Sequence, residues 1–354
     1  MYRFLGNIAS PAGSRARLAI LAFHRVLARP DPLLADEIDA AEFERHMVFL
    51  RREFNVLPLA EACARLSRDT LPARALSLTF DDGYANNVEI ALPILLRHGL
   101  TATFFVATGF LDGGTMFNDD LIEIVRTAPG GRHDLSALGL PSLMSLELDD
   151  DASRRAAIDR LIPHLKYQPL QARHDLLARI ADAIGGRFPP PLMMRPADVR
   201  KLADSGMQIG GHTVNHPILT QLDLHAARAE IVDGKRRLEE ITDSPVTLFA
   251  YPNGKPGDDY DARHVDLVRR AGFVAAVSSV NGVAACDADR FQLPRCGLWN
   301  QGPRRLGARL LANCLHPLRA DARSGARQRA HGATPAAGGD PAAAQASPQL
   351  SRDA

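Results

Sequence analysis

Two short clusters carry residue types that could do chemistry together. Asp81-Asp82-Gly83 closes the apolar run Leu76–Phe80, and His212-Thr213-Val214-Asn215-His216 follows the run Met207–Gly211. Neighbouring carboxylates beside buried apolar residues repel one another and lose solvation, so they need a cation or a proton to coexist. Two histidines at i and i+4 share one face if their segment is helical, close enough to hold one metal ion. One carboxylate with two imidazoles leaves coordination positions open for water and substrate, which is the plan of a catalytic rather than a structural site. A divalent metal there would acidify a bound water and polarise a carbonyl, leaving the other carboxylate free as general base. Either cluster alone is weak, since a DDG tripeptide is often a solvated turn and an HxxxH pair a surface coincidence. Both together, each ending an apolar strand, point to a metal-assisted hydrolytic site.

Elements able to position these clusters recur along the chain. Strand-like runs fall at Leu18–Phe23, Leu76–Phe80, Ala102–Ala107, Met207–Gly211, Val246–Tyr251, Phe273–Ser278 and Phe291–Arg295. Several are apolar throughout, as strands buried on both faces are. Helical patterns lie between them: after Asp39, over Asn87–Arg97 with Pro93 inside, over Ala197–Ser205, Leu224–Ile241 and Asp261–Ala271. This alternation predicts an α/β fold with a mainly parallel sheet. Carboxylates at the C-terminal ends of such strands sit at the mouth where these folds do chemistry. Residues 111–195 break the rhythm and read as a helical insertion over that mouth, whereas residues 1–17 read as a loose leader.

The resemblance these motifs carry is to the polysaccharide deacetylases (carbohydrate esterase family four, the NodB-homology domain). Thr79–Gly83 is similar to the family's T-F-D-D-G motif and His212–Pro217 to its H-[ST]-x-x-H-P motif, with similarity over residues 18–300. The resemblance implies a distorted (β/α)7 barrel, Asp81 as general base, and Asp82, His212 and His216 as ligands of a divalent metal, usually Zn2+. It also implies an N-acetylated glycan or amino-sugar substrate. Two motifs depart from the family. Ala250-Tyr251-Pro252-Asn253-Gly254 stands for R-x-P-Y-G and lacks the arginine that orients the base, although the Asn253 N–H remains available to an oxyanion. Leu293-Pro294-Arg295 stands where the family places its acid histidine. A departing amine still needs a proton, and His24, at the end of Leu18–Phe23, is the expected general acid, as in the circularly permuted branch acting on poly-N-acetylglucosamine and related exopolysaccharides. Arg295 or Arg25 is expected to replace the missing arginine. Tyr84 and Tyr251 are expected to line the cleft, Asn86 either lines it or forms with Asn87 a helix N-cap pair, and Trp299 either stacks on a sugar or only packs.

Bulk properties agree. A net charge of +1 lacks the basic excess of a nucleic-acid coat. The four cysteines form no CxxC pair. The apolar run after the N-terminus is too short for a signal segment and no 20-residue apolar span exists, so the expectation is a cytoplasmic protein, at most peripheral to the inner membrane. Residues 301–318 could form a basic amphipathic helix, either at a membrane surface or packed on the domain with a solvated basic face. Residues 319–354 are poor in large apolar side chains and read as disordered. Nothing in the sequence bears on oligomeric state.

Overall fold

A computed structural model describes residues 2–140, 143–297 and 302–315 of the chain. Trp299 and the 319–354 tail lie outside these residues. The seven expected strands are present: β1 (Leu18–Phe23), β2 (Ala75–Phe80), β3 (Thr103–Val106), β4 (Gln208–Gly211), β5 (Leu248–Ala250), β6 (Ala275–Asn281) and β7 (Leu293–Gly297). All pair in parallel in the order β1-β7-β6-β5-β4-β3-β2, and β2 pairs back onto β1 to close a barrel. That closing seam is the longest register, Leu18 opposite Ala75 through Phe23 opposite Phe80. The fold is therefore the closed (β/α)7 barrel that the motifs implied.

Strand periodicity sorts the side chains into two cores. Ala19, Leu21 and Phe23 of β1 and Leu76, Leu78 and Phe80 of β2 point outward and pack under the surrounding helices. Phe80 stacks on Phe23 at 5.0 Å and on Phe104 at 4.7 Å, with Phe43 of helix Ala40–Glu53 edge-on to Phe23 and Phe80. The alternate residues, Leu18, Ile20, Phe105, Leu248, Ala250, Val277 and Leu293, fill the barrel with helix Leu59–Leu66 packed against them.

Three expectations need correction. Residues 1–17 are not a loose leader, since Tyr2–Ala9 is a helix lying beside helix Pro303–Leu315. Tyr2 meets Phe49 edge-on at 5.4 Å and its hydroxyl donates to the Arg304 carbonyl, which holds the segment down. The insertion is not purely helical. Between helix Phe117–Thr127 and helices Asp151–Lys166 and Leu170–Ile184 lies an antiparallel hairpin, Arg132–Asp134 with Ser145–Glu147. Together these build a separate apolar core around Leu121, Ile124, Leu161 and Ile180. Finally, Asn87–Arg97 is not one regular helix. A π-turn over Asn87–Ala91 precedes the α-turns Leu92–Arg97, and the wider turn absorbs the bond that Pro93 cannot donate.

Candidate active site

The alternation that sorts the core also aims the chemistry. Ser77 and Thr79 take the inward positions of β2, so Asp81 continues toward the barrel axis at its C-terminal mouth. By the same parity His24 follows Leu18 and Ile20 off β1, and Arg295 follows Leu293 on β7. Residues some 270 apart in sequence thus converge because their strands end on one rim.

The two adjacent aspartates do not share an environment. Asp82 has φ +74° and Gly83 φ +93°, a left-handed reversal that turns neighbouring side chains in different directions. A Cβ on Gly83 would also come within 2.9 Å of Val106, so glycine is required there twice over. Asp81 goes to Arg295, whose Nη1 and Nη2 donate to its two oxygens at 2.8 and 2.7 Å. The same guanidinium donates through Nε to the Ser278 carbonyl at 2.9 Å, which fixes its plane. Burial works against the Asp81 carboxylate, but the Arg295 charge and bonds outweigh it and hold Asp81 below the usual carboxylate range. Of the two arginines left open by the sequence, Arg295 is the one on Asp81.

Asp82 faces the histidines. His212 Nε2 lies 3.3 Å and His216 Nε2 3.4 Å from its Oδ1, and one donor atom from each of the three residues lies within 4.8 Å of the others. The i, i+4 pair is not brought together by a helical turn, as the spacing suggested. The segment is a bend in which Thr213 and His216 have φ +67° and +52°. Its conformation is held from outside by Glu230 of helix Leu224–Thr242. One Glu230 oxygen accepts from the Val214 and Asn215 N–H groups at 2.9 and 2.8 Å, and the other from the Asn215 amide at 2.7 Å. That helix approaches so closely at Gly234 that a Cβ would meet the Thr213 carbonyl oxygen at 2.8 Å. Sequence reasoning missed both residues.

The donor set fits a divalent metal. Asp82 Oδ1 is buried without a hydrogen-bond partner, a costly state for a carboxylate oxygen unless a cation meets it. His212 donates Nδ1–H to the Ala250 carbonyl at 2.7 Å, which leaves the Nε2 lone pair facing Asp82. Burial takes His216 down to about 4, so its imidazole is neutral and able to ligate at neutral pH. Burial opposes the Asp82 charge, but positive charge placed at the His216, His212 and His24 positions outweighs it, so the pocket favours an ionised Asp82 beside a cation.

A cavity of about 490 Å³ opens over this cluster, lined by His24, Arg25, Asp81, Tyr84, Asn253 and Arg295 among others. His24 is open to it. Enclosure by the protein disfavours the imidazolium, but Asp82, Asp81 and Glu37 outweigh that and raise the His24 pKa above the ordinary histidine value. Glu37 reaches the site because its carboxylate accepts from the Arg25 N–H at 3.1 Å.

Arg25 lines the cavity but does not orient Asp81. It donates to Asp119 of the insertion at 2.9 Å, and the Tyr84 hydroxyl donates to the other Asp119 oxygen at 2.9 Å. Asp119 is pushed up to about 6, chiefly by burial. Thus the insertion walls the cavity, as expected, and adds a residue the sequence did not single out. Asn86 is not among the lining residues and makes no side-chain cap. Tyr251 lines the cavity with its ring stacked 3.8 Å from Tyr260, while Asn253, at φ +57°, sits exposed at the rim.

A parallel barrel with paired carboxylates and an Asp-His-His cluster on its C-terminal rim is an arrangement suited to hydrolysis. Comparison with known proteins specifies the type: the polysaccharide deacetylase family description matches residues 68–136 and 141–276, more than half of the chain, and the chain belongs to that family. It is a deacetylase hydrolase. YxkH of Bacillus subtilis (strain 168), which bears a polysaccharide deacetylase name, is 20% identical over 282 residues, 79% of this chain and 71% of that one. Among solved structures, the Streptococcus pyogenes deacetylase PplD in complex with acetate is 19% identical with a TM-score of 0.57, covering 82% of this chain and 96% of its own. IcaB from Ammonifex degensii is 17% identical with a TM-score of 0.53, covering 86% and 98%. These structural likenesses concern the fold.

Proposed function

We propose that this deacetylase removes N-acetyl groups from amino sugars of a polysaccharide or glycan precursor, in a metal-dependent amide hydrolysis. The observation that carries the reading is the split of the aspartate pair, Asp81 clamped by Arg295 and Asp82 facing His212 and His216. A divalent ion held by Asp82, His212 and His216, zinc by resemblance, would supply Lewis-acid polarisation of the acetyl carbonyl and lower the pKa of an attacking water.

The chain's own residues do the rest. Asp81 accepts the proton of the attacking water, and the Arg295 fork keeps its carboxylate ionised and aimed for that step. Arg295 acts through Asp81, in the place of the arginine missing before Tyr251. The Asn253 N–H supports the oxyanion, with Tyr251 behind it as a packed wall. His24, already biased toward its protonated form, gives its proton to the departing amine, so acetate and a free amino sugar leave. A raised His24 pKa supports an amide over an ester substrate, because an amine leaves only when protonated.

The test is acetate release from N-acetylglucosamine oligomers, with the native chain, with Asp81→Asn, and with a chelator followed by zinc. Release that the chelator stops, zinc restores and Asp81→Asn lacks is the expected result. Glycan binding without any release would make the chain a binding module, and release from O-acetyl esters alone would assign it to ester hydrolysis.

A further inference from the structure

The N-terminal helix carries an apolar face that the domain does not use. Tyr2, Gly6 and Ala9 turn inward, Gly6 buried and Tyr2 and Ala9 packed on the main core. Phe4, Leu5 and Ile8 turn outward and are 71%, 43% and 65% exposed. Three large apolar side chains on one face of a two-turn helix are more than the scattered apolar residues a soluble surface tolerates singly.

The neighbouring surface is basic. Helix Pro303–Leu315 lies alongside, tied by the Tyr2 hydroxyl to the Arg304 carbonyl at 2.8 Å. Its own apolar residues Leu306 and Leu310 are buried in the domain, so this is not the face that the basic-amphipathic pattern offered to a membrane. It contributes cations instead. Arg304 and Arg305 are exposed beside a cavity of about 460 Å³, lined also by Arg52, Tyr2 and Phe49. Arg3 is exposed on the first helix itself. Glu53, nearly buried, accepts from Arg52 and the Arg3 N–H.

We propose that Tyr2–Ala9 and the start of Pro303–Leu315 form a docking surface for an anionic lipid bilayer. Phe4, Leu5 and Ile8 enter the interface, and Arg3, Arg52, Arg304 and Arg305 meet lipid phosphates. Charge decides the occupant. An apolar patch meant for a second copy of the chain would bring these arginines against one another, whereas headgroup phosphates neutralise them. Buried apolar area and electrostatic attraction reinforce each other at such a surface, while either alone binds weakly.

Flotation of the full chain with vesicles tests this. Vesicles of phosphatidylcholine containing phosphatidylglycerol should carry the protein upward, and pure phosphatidylcholine vesicles should not. Phe4→Glu with Ile8→Glu, and separately Arg304→Glu with Arg305→Glu, should each reduce the floated fraction at least tenfold. Both pairs are at exposed positions, so thermal stability and acetate release from soluble oligomers should match the native chain. Failure of the native chain to float with phosphatidylglycerol at low salt overturns the proposal, as does unchanged flotation of Phe4→Glu/Ile8→Glu. A native dimer in solution that the same double variant makes monomeric would assign the face to a second copy instead.

Discussion

Arg295 grips Asp81 through two parallel hydrogen bonds of 2.8 and 2.7 Å, with both side chains almost wholly buried. Removing one partner of such a pair leaves the other charge uncompensated, which costs about 3–5 kcal/mol. Arg295→Ala is therefore expected to lose that much stability in urea denaturation, together with most of its kcat. Arg295→Lys keeps the charge and loses the fork, so it should fall between. Native stability in Arg295→Ala would show that the clamp does not hold the mouth together.

His24→Ala separates proton donation from the other steps. Its turnover of N-acetyl substrates should drop about 10²–10⁴-fold, the usual share of general acid–base catalysis. Acetyl esters with a nitrophenolate leaving group need no proton and should be hydrolysed at close to the native rate. Initial rates on the two substrate types make the comparison, and equal losses on both would move the acid elsewhere.

Glu230 shapes the histidine bend without touching Asp82. Groups that orient metal ligands from behind typically cost 10–100-fold in metal affinity when lost, on the order of 1–3 kcal/mol. Glu230→Ala should weaken zinc binding by about that factor in competition with a chromophoric chelator, and Gly234→Ala should act in the same direction by pushing on Thr213. Unchanged affinity in both variants would mean that the bend holds itself.

Asp119 offers a pH signature. Its pKa is raised from 3.8 to about 6, so the folded state binds its proton more tightly than the unfolded chain does. The group accordingly favours folding below about pH 4, and this contribution disappears as pH rises through about 6, roughly 3 kcal/mol at 1.4 kcal/mol per unit. Asp119→Asn lacks this slope. The difference in melting temperature between native chain and variant, followed from pH 4 to 7, should fall steadily in the native chain's disfavour; a flat difference would contradict the assignment.

The cysteines should react unequally with a maleimide. Burial pushes the Cys63 and Cys314 thiols up to about 12, and Cys296 is buried as well, while Cys286 is exposed. Mass spectrometry of the folded chain should find Cys286 labelled first, and early labelling of Cys63 would contradict its placement against the barrel core.

Strands and motifs were legible because both are local. Runs such as Leu18–Phe23 are buried on both faces, and a DDG turn after one of them must fall at a strand end. The histidine pair was legible as a pair but not as a bend, although β-branched Thr213 and Val214 and the proline after His216 argue locally against a helix. Glu230 and Asp119 left no local signal, since each is an ordinary carboxylate on an amphipathic helix until tertiary packing chooses its partner. The choice between Arg25 and Arg295 likewise depended on which strand end stands opposite β2. The N-terminal helix was overlooked because its packing residues, Tyr2 and Gly6, gain their meaning from Phe49 and a helix some 300 residues later.

The seam between the first two strands closes the barrel, yet the strand bearing Arg295 enters last. During synthesis the ribosome therefore presents both aspartates and both histidines long before the residue that clamps Asp81. On the proposed roles, a chain ending short of β7 would hold Asp81 without the residue that orients it, so a truncation before Leu293 is expected to release no acetate.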